Sequence, residues 1–173
     1  MTRDEDRFIA LSQRASVANR IPADLFLSLH INANRNRHVS GVEVYYPRES
    51  VIEEAAPFPP GIESSEVALP TTTIKQILWD LVLAQSRHHS TQMALHLCRS
   101  MRLQLRARCR GVRGARFVVL REARMPAVLV EVGYVTNRQD ASRLANAAYR
   151  QAIAQAVAEG VIAYVRELGL EHL

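Results

Sequence analysis

Hydrophobic positions divide this chain into short continuous runs and longer helical stripes. Asp24-Leu25-Phe26-Leu27-Ser28-Leu29 and Ala127-Val128-Leu129-Val130 are apolar runs of strand length, the kind buried on both faces of a sheet. Gly41-Val42-Glu43-Val44-Tyr45-Tyr46 alternates and is rich in β-branched and aromatic residues, which predicts a third strand. Arg116-Phe117-Val118-Val119-Leu120 reads as a fourth. Phe8, Leu11, Ala15 and Ala18 follow helical spacing and predict a helix over 5–20, with Pro22 just past its end. Thr73 is placed to cap a helix over 74–84, and Ser90 one from Thr91 to about Arg106. A stripe from Tyr149 through Ile153, Val157, Val161 and Tyr164 to Leu168 predicts a C-terminal helix stopped by Gly169. Strands mixed with helices point to an α/β layered domain.

Between residues 47 and 73 the pattern breaks. Five of the seven prolines fall there, with Glu49, Glu53, Glu54, Glu63 and Glu66. An acidic, proline-rich insertion loop is expected.

Two of the buried strands end in chemistry. The first delivers His30 and Asn32, the other Glu131. Ligands of open α/β sheets bind beyond the carboxyl ends of the strands. A carboxylate placed there needs a polar site or a cation, because burying it unpaired costs several kcal/mol. Taken alone, His30 also reads as a hydrogen-bonded core histidine, and Glu131 as a structural ion-pair carboxylate.

Composition narrows the picture only a little. At 173 residues and 48% hydrophobic, the chain suits one domain. No apolar run is long enough for a membrane span. The charged start Met1-Thr2-Arg3-Asp4-Glu5-Asp6 is no signal peptide. The formal charge of +5 is carried almost wholly by arginine, since Lys75 is the only lysine. Arg99, Arg102 and Arg106 share a helix face and Arg108, Arg110 and Arg113 follow closely. No stacking aromatics or DNA-reading motif accompany them, so a solvated face is expected and not nucleic-acid binding. Cys98 and Cys109 have neither C-x-x-C nor metal spacing and read as two unpaired thiols.

The ordered motifs are specific enough to suggest a family. They are Ala23-Asp24-Leu25-Phe26-Leu27-Ser28-Leu29-His30-Ile31-Asn32-Ala33; Gly41 to Tyr46; Arg110-Gly111-Val112-Arg113; Phe117 to Arg121; and Met125-Pro126-Ala127 through Glu131-Val132-Gly133-Tyr134-Val135-Thr136-Asn137. In this order the chain resembles the zinc-dependent N-acetylmuramoyl-L-alanine amidases of the amidase 3 type. The resemblance implies a mixed, mostly parallel sheet flanked by helices on both faces. It implies zinc as cofactor, peptidoglycan as substrate and a periplasmic or extracellular workplace. An activator protein is a further possible partner. His30 matches a zinc ligand and Glu131 the catalytic carboxylate. Asn32, Glu43, Arg121 and Asn137 match positions that bind substrate or support the site.

One departure follows from the same comparison. Family members open with a strand ending in a D-P-G-H-G-G type turn, which carries a zinc histidine. A helix after it carries a zinc glutamate. Neither has a counterpart here, so residues 1–173 are expected to be an amidase domain lacking its N-terminal quarter. Such a chain, with two zinc ligands absent, is expected to be inactive alone. His38, His88, His89, His96 and Glu43 are possible substitutes, with His88-His89 read as a solvated helix start. A rival reading is a pseudoenzyme that binds peptidoglycan or a partner without cleavage.

Overall fold

The computed structural model describes residues 1–2, 5–21, 23–48 and 71–169. Four strands form one sheet: β1 (Phe26–Asn32), β2 (Val42–Pro47), β3 (Cys109–Ala115) and β4 (Ala127–Tyr134). Their spatial order is β1-β4-β2-β3. β1 runs parallel to β4 and β2 parallel to β3, while β2 and β4 are antiparallel. The sheet is therefore mixed with parallel pairs prevailing, as expected from the resemblance.

Alternation along the strands assigns its two faces. Val42, Val44, Val128, Val130 and Val132 point into one core with α2 (Thr71–Gln104) and α5 (Ala147–Glu167). Phe26, Ala127 and Leu129 point the other way, into a smaller core with Ala18 of α1 (Leu11–Arg20) and with Val119 and Leu120 of α3 (Val118–Arg121). Helices thus cover both faces. A short α4 (Arg138–Ala145) links the end of β4 to α5. It is pinned by Asp140, whose buried Oδ2 accepts from the amides of Gly41 at 2.9 Å and Tyr134 at 3.0 Å.

Several expectations are corrected. The first helix covers Leu11–Arg20 only. Phe8, 87% exposed, finds no core to pack on, and nothing holds an extra turn together. The proposed stop at Pro22 lies outside the described residues, and so does the acidic segment apart from Pro47, which closes β2, Arg48 just after it, and Thr71 to Thr73, which already belong to α2, so that Thr73 does not cap it. The two central helices are one, 34 residues long. Ser90 and Thr91 do not cap a new helix. Their hydroxyls donate to the carbonyls of Ser86 at 2.7 Å and Arg87 at 3.0 Å, four residues back, so the helix runs through them. Ser90 Oγ also accepts from the Ala127 amide, tying α2 to the start of β4. His88 and His89 are consequently mid-helix, not at a helix start.

The fourth expected strand is displaced. Cys109–Ala115 pairs with β2, and Val118–Arg121 forms the short helix α3. Glycines at 111 and 114 hide β3 from propensity, but as the sheet's outer strand it needs little burial. Cys98 and Cys109 are joined in a disulfide that ties α2 to the first residue of β3. The expectation of unpaired thiols fails because Arg106, at φ 49°, reverses the chain and returns Cys109 to the helix it has just left. At the far end Gly169, at φ 70°, closes α5 as expected.

Gly41 is required by its surroundings. Its φ is 103°, and a Cβ there would run into the Arg108 carbonyl oxygen, which accepts from the Val42 amide at 2.9 Å. Gly41→Ala is expected to cost about 2 kcal/mol or more through strain and loss of that bond. Urea unfolding checks this, and an unchanged midpoint would contradict it.

Candidate active site

β1, β4 and β2 bring three of the expected residues into one row. His30 pairs with Glu131 across the parallel β1–β4 ladder. Glu131 pairs with Glu43 across the antiparallel β4–β2 ladder. Register partners point to the same face of a sheet. His30, Glu131 and Glu43 therefore stand side by side on the α1/α3 face; both strands run on past the expected end, His30 lying two residues and Glu131 three residues before the last residue of its strand. The ring Nε2 of His30 lies 3.0 Å from Ser28 Oγ, on the same face of β1.

The two carboxylates are held in opposite ways. Glu43 is 5% exposed and saturated. Its Oε2 accepts from the Tyr45 hydroxyl at 2.6 Å, and its Oε1 from Arg110 Nε at 3.3 Å. Arg113 adds a guanidinium 3.9 Å from the same Oε1. Burial pushes the Glu43 carboxyl up, but the Tyr45 and Tyr134 hydroxyls and the Arg113 and Arg110 cations outweigh it and hold it below the usual carboxylate range. Glu43 is thus a fixed anion, and it pushes Tyr134 up to about 12, with burial as the larger cause.

Glu131 has no such support. Its Oε2 is buried and has no hydrogen-bond partner. Burial and the Glu43 charge beside it push its carboxyl up to about 6. A half-buried carboxylate with an unpartnered oxygen and a value close to neutrality is suited to exchanging protons.

The other expected residues are more dispersed. Asn32 follows His30 on β1 and accepts from the Ala33 amide at 2.8 Å. Asn137 caps α4, accepting from the amides of Gln139 and Asp140 at 3.0 and 3.1 Å, and its Nδ2 donates to the Arg37 carbonyl. Arg121 ends α3 and is exposed, with no ion pair to this row among the described residues. Sequence reasoning missed Tyr45, Tyr134, Arg110 and Arg113 as partners of Glu43. The alternation of Glu43 and Tyr45 along β2 was the available signal.

As a metal centre the row is incomplete. Among the described residues no group of three or more His, Cys, Asp or Glu side chains is placed to hold a metal ion. Glu43 is committed to its cations, and His96, one of the possible substitutes, is paired with Glu167 at 2.8 Å. A zinc ion needs three or four ligands at once, so these residues do not fit one by themselves.

The family described as N-acetylmuramoyl-L-alanine amidase matches residues 1–163. The chain belongs to this family. It is 33% identical over 172 residues to the N-acetylmuramoyl-L-alanine amidase AmiA of Escherichia coli (strain K12), covering 95% of this chain and 60% of that protein. This amidase-family chain thus spans about 60% of the length of that relative. Its fold is similar to an amidase from Clostridium difficile 630, with TM-score 0.71 and 25% identity over 95% of this chain and 69% of that one. It is also similar to the amidase AmiC2 of Nostoc punctiforme, with TM-score 0.67 and 30% identity over 95% and 71% of the two chains.

Proposed function

We propose that this chain serves a peptidoglycan amidase, cutting the bond between the lactyl group of N-acetylmuramic acid and the L-alanine of the stem peptide. Glu131 is the proton carrier. It takes a proton from the attacking water and returns it to the departing amine, which needs a carboxylate that changes state near neutrality. The observation that carries this reading is the row His30–Glu131–Glu43, with the unpartnered Glu131 oxygen at its centre, in a chain of the amidase family. Glu43 keeps its charge beside Glu131 and sets its basicity. His30 is assigned as one zinc ligand, and the others have to come from outside the described residues. Asn32, Arg121 and Asn137 are assigned to substrate binding or support of the site.

A periplasmic or extracellular location fits the substrate, and the Cys98–Cys109 disulfide supports it, because such bonds persist in oxidising compartments. No helix among the described residues is long and apolar enough to cross a membrane. An activator protein has a surface available on α2, where Ile74, Ile77, Leu78 and Leu81 are each about half exposed at helical spacing.

The test sets metal content against peptide release. The chain alone should bind zinc more weakly than micromolar, because among the described residues only His30 is assigned as a ligand and one histidine holds zinc poorly. With a family strand and helix bearing the other two ligands joined ahead of Met1, it should bind zinc stoichiometrically and release stem peptides from sacculi. In that protein His30→Ala should lose both properties. Sub-micromolar zinc in the chain alone would overturn the ligand assignment. Sedimentation with sacculi and no release from the joined protein would favour the rival, a chain that holds peptidoglycan without cutting it.

A further inference from the structure

Two guanidinium groups converge on the single carboxylate of Glu43, and only one of them hydrogen-bonds to it. Arg110 donates to Oε1 within hydrogen-bonding distance and is 27% exposed. Arg113 sits at 3.9 Å, beyond a hydrogen bond, and is 57% exposed. Among the described residues Arg113 makes no hydrogen bond through its guanidinium and has no other ion pair. Its guanidinium is therefore drawn to Glu43 by charge alone and keeps N–H donors open to solvent. The cluster of Glu43 with its two cations carries one positive charge in excess, which faces the Glu131 carboxyl on the same side of the sheet.

The placement of that charge suggests what it meets. Arg113 pairs in register with Tyr45, which shares the face of Glu43, so Arg113 stands on the same side as Glu131 and His30. β3 lies two strands from β4 in the order β4-β2-β3. Two strand spacings amount to about 10 Å. Arg113 is level with Leu129, two residues before Glu131, so the two backbones are about 12 Å apart, and an extended peptide at about 3.3–3.6 Å per residue covers that in about three residues. A guanidinium with free N–H donors is a two-point receptor for a carboxylate.

We propose that Arg113 receives a free carboxylate of the stem peptide, carried two to three residues from the bond to be cut, and that this contact selects acidic stem peptides over amidated ones. The proposal rests on the amidase reading and deepens it. Arg110 is the positioning partner: by neutralising Glu43 it leaves Arg113 available to the substrate.

The test is equilibrium binding by calorimetry, which needs no turnover. The probes are two soluble lactyl-L-alanyl peptides, one with a free carboxylate on the residue after alanine and one with that group amidated. The wild-type chain should prefer the acidic peptide about tenfold, the strength of one hydrogen-bonded ion pair. Arg113→Gln should abolish the preference and Arg113→Lys retain part of it. Arg99→Gln, which removes the same charge from an exposed position on α2, should leave the preference intact. Equal affinity of the wild type for both peptides, or loss of the preference in Arg99→Gln, would overturn the Arg113 assignment and leave the amidase reading standing. Failure to bind either peptide would count against both.

Discussion

Replacing Glu131 by glutamine is expected to give a more stable protein and a far slower one. Glutamine keeps the size and polarity of the side chain but removes the proton acceptor, so stem-peptide release should fall by at least about 10²-fold, the usual contribution of a general base. The stability change follows from the environment that prepares Glu131 for that work. Burial and Glu43 raise its carboxyl to about 6 in the folded chain, against an ordinary value of 4.5. Between those two values the folded state binds more protons than the unfolded one, so stability falls as pH rises through this window and stays lower above it. Glutamine removes the penalty. The gain should be absent below about pH 4.5 and complete above pH 6, reaching about 1–2 kcal/mol. Denaturation of the zinc-free chain at pH 4 and pH 7.5 reads it. Equal stabilities of the two proteins at pH 7.5 would mean that Glu131 pays no penalty for its place. Full release by the mutant would move the proton carrier elsewhere, with Glu43 the next residue to examine.

Reduction of the Cys98–Cys109 disulfide should destabilise the chain by about 3 kcal/mol, the chain-entropy value for closing a loop of this length. The effect should also be local. Cys109 opens β3, the outer strand that carries Arg110 and Arg113, and Val42 lies opposite it in register. Freed from α2, β3 would leave the sheet edge more easily and loosen both guanidinium groups around Glu43. Unfolding with and without reductant, together with the Cys98→Ser and Cys109→Ser double variant, measures the loss. Thiol labelling under denaturing conditions should find no free thiol before reduction and two after. An unchanged midpoint in reductant would show that the bridge contributes nothing.

The neighbourhood of His30 and Glu131 was legible in the sequence, as were the strands that carry them. His30 and Glu131 end two apolar runs of strand length, and the family resemblance of the motifs implied that they share a site; the structure pairs them in register. Glu43 was visible through its alternation with Tyr45. What sequence could not supply were contacts made by tertiary packing. Nothing local distinguishes Ser90 as a cap from Ser90 as a hydroxyl folded back on Ser86; the Ala127 amide and the packing of α2 on α5 decide it. Gly160 shows how close that packing is, since a Cβ there would come within 3.0 Å of Leu97 Cα. β3 is not legible in the sequence, and the strand expected over 116–120 shares no residue with it, because Cys109-Arg110-Gly111-Val112-Arg113-Gly114 has neither apolar alternation nor strand propensity. Its place depends on pairing with β2 and on a disulfide whose spacing follows no motif.

The central claim is that this face of the sheet cuts the lactyl–alanine amide, and the identity of the product tests it most directly. Sacculi should be digested with the zinc-loaded joined protein, and the soluble fraction analysed by mass spectrometry after labelling of new amino groups. The account predicts free stem peptides whose newly exposed amine is that of L-alanine, absent when a chelator is added or Glu131 is replaced by glutamine. Soluble peptides still attached to muramic acid, or new amines on residues other than that alanine, would contradict it.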